Sequence, residues 1–275
     1  MPNRIAWFLM MLIGVPACAP AQWLNQPTPG TPRTRDGKPN LSAPAPRASN
    51  GKPDLSGIWQ AEGSPIPELI SVLPGGINGL GENTPSKYFL NVLADYKPED
   101  APMQSGAAAL FHQRTQAEFP PSRCLPVGVP QLEAYPEPHK IIQTPGVLVM
   151  LYETNTTFRQ IFTDGRKLPN DPQPAWLGYS VGKWEGDWLV VDTMGFNDRS
   201  WLDTIGHTHS QDLHVMERFH RRDFGHMDVQ VTIDDPKTYT KPFSIRFSQR
   251  LLPDTDLIEQ YCAEDEKDEA HLFAK

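Results

Sequence analysis

From Leu213 onward the chain alternates apolar and polar residues with a period of two. Met227, Val229, Val231 and Ile233 fall on one side of an extended segment, and Asp228, Gln230 and Thr232 on the other. Phe243, Ile245 and Phe247 oppose Ser244, Arg246 and Ser248 in the same way. Extended backbone turns successive side chains to opposite faces, so this pattern specifies half-buried strands. Leu213 to Phe219 alternates too. Upstream, Val147 to Tyr152 is continuously apolar, so both its faces should be covered. Phe158 to Phe162 ends at the turn dipeptide Asp164-Gly165, and Tyr179 to Trp184 and Trp188 to Asp192 flank a tight turn at Glu185-Gly186-Asp187. Leu257 to Cys262 reads as the last strand. Sequential strands joined by short turns predict a mainly β fold, an antiparallel up-and-down barrel whose closure leaves no free edge. A two-sheet sandwich is the alternative.

The segments before these strands differ in kind. Residues 1–21 read as an export signal: Arg4, an apolar run from Ile5 to Val15, and small residues at Ala19-Pro20-Ala21 before Gln22. Cys18 in Val15-Pro16-Ala17-Cys18 gives a lipoprotein box as a second reading, and an uncleaved anchor is a third. Residues 22–54 hold Pro27, Pro29, Pro32, Pro39, Pro44, Pro46 and Pro53, which prevent regular helix. Inside this stretch Asp36-Gly37-Lys38-Pro39-Asn40-Leu41-Ser42 is repeated as Asn50-Gly51-Lys52-Pro53-Asp54-Leu55-Ser56. It is expected to run as a strap along the folded body, a single domain over 55–275. Residues 61–123 interrupt the strand pattern as a helical insertion, with candidate helices at Ser86 to Tyr96 and Ser105 to Ala117. The Pro-rich stretch from Cys124 to Pro145 reads as irregular.

Whole-chain properties exclude several classes. The net charge of −8 over 275 residues opposes nucleic-acid binding, which needs a basic stripe. With 39% hydrophobic residues and no apolar run long enough for a span after the signal, a mature chain without a transmembrane segment is expected. Removing the signal leaves Cys124 and Cys262, which in an oxidising compartment either pair or stay as two buried thiols. Nucleophile-elbow, phosphate-loop and dinucleotide motifs do not occur.

Gly57-Ile58-Trp59 on a first strand resembles the opening of lipocalin-like (calycin) barrels. In these the Trp plugs the closed end and the Gly lets backbone pass close. A longer run, Gly51-Lys52-Pro53-Asp54-Leu55-Ser56-Gly57-Ile58-Trp59, resembles a family of secreted bacterial proteins frequent in soil bacteria. The similarity continues through Cys124-Leu125-Pro126, Thr163-Asp164-Gly165-Arg166, Gly182-Lys183-Trp184-Glu185-Gly186-Asp187, Gly195-Phe196-Asn197-Asp198, Gly206-His207-Thr208-His209-Ser210 and Asp235-Pro236. It implies export and carries no catalytic residues with it.

Chemistry is concentrated between Gly178 and Phe224, which holds three Trp, four His and, from Asp187 to Glu217, six carboxylates. His207 and His209 form a His-x-His pair that, with His214 and a carboxylate from Asp212 or Glu217, suits one divalent metal ion. The spacing misses both the metallo-β-lactamase and the cupin patterns. Glu217 shares its face with Leu213, Val215 and Phe219, so it points inward. There it serves either as a general acid or base with a raised pKa or in an ion pair with Arg159 or Arg246. His214 falls on the opposite face, in tension with a site that uses both. Asp198 and Asp203 are candidates for general bases or for orienting imidazoles. Asp198 alternatively caps a turn. Trp184, Trp188, Trp201, Arg166 and Tyr152 are candidates for contacts to a small-molecule ligand or substrate, with core packing the alternative for the tryptophans. The expected activity is acid–base chemistry, metal-assisted or not. It would be a hydrolysis or elimination on a small carbohydrate-like or aromatic compound, with Asp198, Asp203, His209 and Glu217 as catalytic groups. The alternative is a binding or carrier barrel without turnover.

Overall fold

The computed structural model describes residues 26–72, 84–115 and 118–262. Nine strands close into one barrel in chain order. They are β1 (Gly57–Ala61), β2 (His139–Thr144), β3 (Val147–Tyr152), β4 (Thr157–Phe162), β5 (Tyr179–Glu185), β6 (Trp188–Met194), β7 (His214–Arg221), β8 (His226–Asp234) and β9 (Phe243–Leu251). Closure is made by β1, which pairs with β2 through Trp59↔His139 and with β9 through Trp59↔Leu251. The predicted barrel is therefore present, with one departure from the antiparallel meander. β4 and β5 run parallel and are zipped by only two residue pairs, Ile161↔Ser180 and Phe162↔Val181. A parallel pair cannot be joined by a tight turn, and the connection over 163–178 supplies the crossover.

Local chemistry explains the tight hairpins. Pro145-Gly146 joins β2 to β3 with Gly146 at φ 84, the positive angle a type II turn requires after proline. Gly186-Asp187 closes β5 on β6 at Glu185↔Trp188. The alternation of β8 is strict: Met227, Val229, Val231 and Ile233 are buried and pack in the main core with Phe219, Phe243 and Ile245.

Three sequence expectations need correction. Leu257 to Cys262 is not a strand, because a disulfide and loop contacts hold it outside the barrel. Conversely β2 lies inside the stretch read as irregular; its prolines flank the strand and do not interrupt it. The helix expected at Ser86 to Tyr96 is a single turn, α2 (Lys87–Leu90), followed by irregular turns. A short α1 (Ile66–Val72) precedes it, and α3 (Ser105–Gln113) matches most of the second expected helix.

Trp59 is fully buried in the main core, with its indole N–H donating to the Leu55 carbonyl at 2.9 Å. The Arg221 guanidinium lies 4.9 Å from the Trp59 ring centre and donates to the carbonyls of Asp54, Ser56, Asp223 and Phe224. Gly57 has φ 144, and a Cβ there would sit 2.5 Å from Leu251 Cδ1. The positive φ therefore favours glycine at this position, with Leu251 as the side chain that a Cβ would displace.

The two repeats of the strap fold alike. Arg33 and Arg47 each bridge to the proline of their own repeat, Pro39 and Pro53, and each donates to a glycine carbonyl, Gly37 and Gly51. Each arginine then forms a two-pronged ion pair with a body carboxylate: Arg33 with Asp254, Arg47 with Asp187. Cys124 and Cys262 form a disulfide. Among the described residues no helix is long and apolar enough to cross a membrane. The export signal and the lipoprotein reading at Cys18 lie outside the described residues.

Candidate functional site

Glu217 points into the barrel as its strand alternation requires, and it meets Arg159 from β4. Arg159 is saturated. Its Nε donates to Ser180 Oγ at 3.1 Å, Nη1 to Glu217 Oε1 and Glu133 Oε1 at 3.0 Å each, and Nη2 to Thr193 Oγ1 at 2.9 Å and to Glu217 Oε2. Glu133 comes from the 3-10 turn Gln131–Ala134, whose four residues are all buried. It also accepts the Tyr152 hydroxyl at 2.6 Å. Two carboxylates thus share one guanidinium with essentially no solvent contact. Burial pushes the Glu133 carboxyl above its usual range, and Arg159 pulls it back. Burial also raises the Tyr152 hydroxyl. Of the two partners foreseen for Glu217, Arg159 is the one used; Arg246 faces outward.

The short β4–β5 seam opens onto the outer surface beside this cluster. A groove of about 390 Å³ lies over it, walled by Phe158, Phe162, Trp176 and Tyr179, with Arg159 and Ser180 also lining it. Phe158 is 61% exposed, unusual for so large an apolar side chain. Arg166 stacks on Phe162 at 3.8 Å, donates to the Tyr179 hydroxyl at 3.0 Å and pairs with Asp164. Arg199 lies 5.1 Å from the Trp176 ring centre, so the loop after β6 flanks the same groove.

That loop holds two histidine pairs. Asp203 is buried and accepts from the backbone N–H groups of Val92, Gly206 and His207, and its Oδ2 lies 2.5 Å from His207 Nδ1. A carboxylate can only accept, so Nδ1 carries a proton and donates it to Asp203. The His207 ring stacks on Phe111 of α3 at 4.4 Å. His209 Nδ1 faces the Ser210 carbonyl at 3.0 Å, which fixes the Nδ1-protonated tautomer, so Ser200 donates its hydroxyl to Nε2 at 2.8 Å. Burial lowers the His209 pKa and keeps the ring neutral. Ser200 is covered by Gly128, where a Cβ would come within 2.3 Å of its Oγ.

The site residues expected from sequence are consequently divided. His207, His209 and His214 do not converge: the first two have separate partners, and His214 bonds Asp192 on the outer face at 3.1 Å. Among the described residues no three His, Cys, Asp or Glu side chains are grouped as metal ligands. The physical reason is the strand period, which turns His214 away from the interior that holds Glu217. Asp198 is exposed at a left-handed turn, φ 55, and its charge acts on His209 from outside that ring's hydrogen bonds to Ser200 and Ser210. The proposed substrate contacts are scattered as well. Trp184 packs near the strap, Trp188 stacks on His220 outside the barrel, and Trp201 is buried under Arg114. Tyr152 is in the interior cluster, and Arg166 alone of the set stands at the groove. Glu133, His139, Trp176 and Gln249 did not emerge from sequence. Glu133 and His139 lie in the stretch read as irregular, Trp176 in an irregular crossover, and Gln249 extends β9 past its obvious alternation.

Comparison of the chain with protein-family models, with curated proteins and with solved structures gives no match.

Proposed function

We propose that the protein is an exported small-molecule binding barrel, and that its ligand, a small aromatic or carbohydrate-like compound, seats in the groove over the β4–β5 seam. One observation carries this reading: the barrel wall is weakest where four aromatic side chains gather, and the exposed Gln160 amide offers a polar contact in the same groove. Aromatic walls with a few fixed polar groups suit flat rings or sugars. The disulfide fits an oxidising compartment, in keeping with export and with the resemblance to secreted bacterial proteins. The test is a thermal-shift screen of aromatic acids, phenols and oligosaccharides, followed by fluorescence titration of any hit. Trp176→Ala and Phe158→Ala should abolish saturable binding while leaving the fold intact. Undiminished affinity in both variants excludes the groove.

A second reading, turnover by acid–base chemistry, is favoured by the Asp203–His207 pair, in which a buried carboxylate orients an imidazole through Nδ1. Hydrolysis or elimination activity that disappears in His207→Gln would support it.

A further inference from the structure

The interior cluster has more acceptors than donors. All five Arg159 N–H groups are committed, and so is the Tyr152 hydroxyl. Three buried side-chain atoms next to them have no hydrogen-bond partner: Glu133 Oε2, Gln249 Oε1 and His139 Nε2. These side chains are neighbours. Gln249 Nε2 donates to the Glu133 carbonyl at 2.8 Å, which fixes its amide so that Oε1 is the unpartnered atom. Tyr152 touches Glu133, and His139 is its cross-strand partner, with ring centres 5.5 Å apart. All three residues are at most 1% exposed. Native proteins rarely leave such atoms unsatisfied, because each costs about 1–3 kcal/mol.

Charge points the same way. When both are ionised, Glu133 and Glu217 carry two negative charges against one guanidinium. With the His139 proton on Nδ1, a proton on Glu133 would cancel the excess but would supply one donor for three unpartnered atoms. An ammonium group supplies a positive charge and at least three N–H donors at once. We propose that the inner end of this barrel, beneath the turn Gln131–Ala134, binds one ammonium group. It is either a free ammonium ion or the head of a small primary amine, held by Glu133 Oε2 and Gln249 Oε1 with His139 beside it. The site is distinct from the aromatic groove, and either can fail without the other.

The experiment uses the mature chain, unfolded in urea and refolded at pH 7.5 in sodium, ammonium, methylammonium or tetramethylammonium chloride at equal ionic strength, so that a buried site can fill. Anything that binds only the folded state raises its unfolding midpoint. A saturable rise in ammonium but not in sodium or tetramethylammonium, which has the charge without N–H donors, is expected. A matching rise in methylammonium identifies an amine head group, and its absence identifies the free ion. Glu133→Gln removes the charge and brings its own donors, so it should lose the rise. Should that variant not fold, nitrogen-15 ammonium NMR of the refolded wild type replaces it, and a slowly exchanging bound resonance is expected. Equal midpoints in ammonium and tetramethylammonium overturn the proposal, as do a rise that survives in Glu133→Gln and the absence of any bound resonance.

Discussion

His139 offers a direct measure of how dry the inner end of the barrel is. It pairs across the sheet with Trp59 on one side and Tyr152 on the other and is essentially without solvent contact. Burial lowers its pKa from 6.5 to about 3. A depressed folded-state pKa means that the unfolded chain takes up the proton first. The stability is therefore intact above pH 6.5 and is lost as pH falls from there towards 3. At pH 4.5 the unfolded imidazole is two units below its own pKa and the folded one is still neutral. The cost is about 3 kcal/mol relative to pH 7.5, at 1.36 kcal/mol per unit. His139→Phe removes the titration while keeping an aromatic ring. The assay is urea unfolding of wild type and variant in sodium buffers at pH 7.5, 6, 5.5 and 4.5, read as the difference between the two proteins. Glu133, whose pKa burial raises, acts in the opposite sense, losing stability as pH rises above 4.5, and cancels to first order in that difference. A difference that stays constant from pH 7.5 to 4.5 would refute the claim that His139 is held neutral by burial.

Other changes separate the forces in the fold. Arg159→Met leaves two buried carboxyl groups without their cation and should cost about 3–5 kcal/mol in urea unfolding. Arg159→Met with Glu217→Leu should be the more stable protein, and the reverse order would show that Arg159 acts by packing alone. Gly128→Ala drives a methyl into Ser200 Oγ and should cost about 1–3 kcal/mol, with most of that recovered when Ser200→Gly is added. Reducing the Cys124–Cys262 bond opens a loop of 138 residues' separation and should lower stability by up to about 5 kcal/mol on the chain-entropy estimate. Calorimetry with and without reductant checks it, and an unchanged midpoint would count against that estimate.

The parts of this molecule that were legible in its sequence are those governed by local period. The alternation in β8 and β9 gave strand, face and burial together, and it placed Glu217 inside. Gly57 and Trp59 marked the first strand. What escaped depends on contacts distant in sequence. Nothing near Glu133 indicates that its turn is buried, because the reason is Arg159, on a strand beyond two hairpins. The His-x-His pair suggested a shared metal because sequence places imidazoles close together. Only the fold shows that Asp203 takes one and Ser200 the other. The parallel β4–β5 pairing was hidden for a similar reason: a 16-residue crossover over 163–178 looks like any other loop until its ends are seen side by side.

The disulfide has a topological consequence. Cys124 precedes β2 and Cys262 follows β9, so eight of the nine strands belong to one covalent ring. β1 alone lies outside it, carrying Trp59 and tethered to the strap. In mechanical terms the molecule is a ring with a removable key. Pulling the chain from its N-terminal side would withdraw β1 with Trp59 and leave the other eight strands tied together, with a vacant slot between β2 and β9.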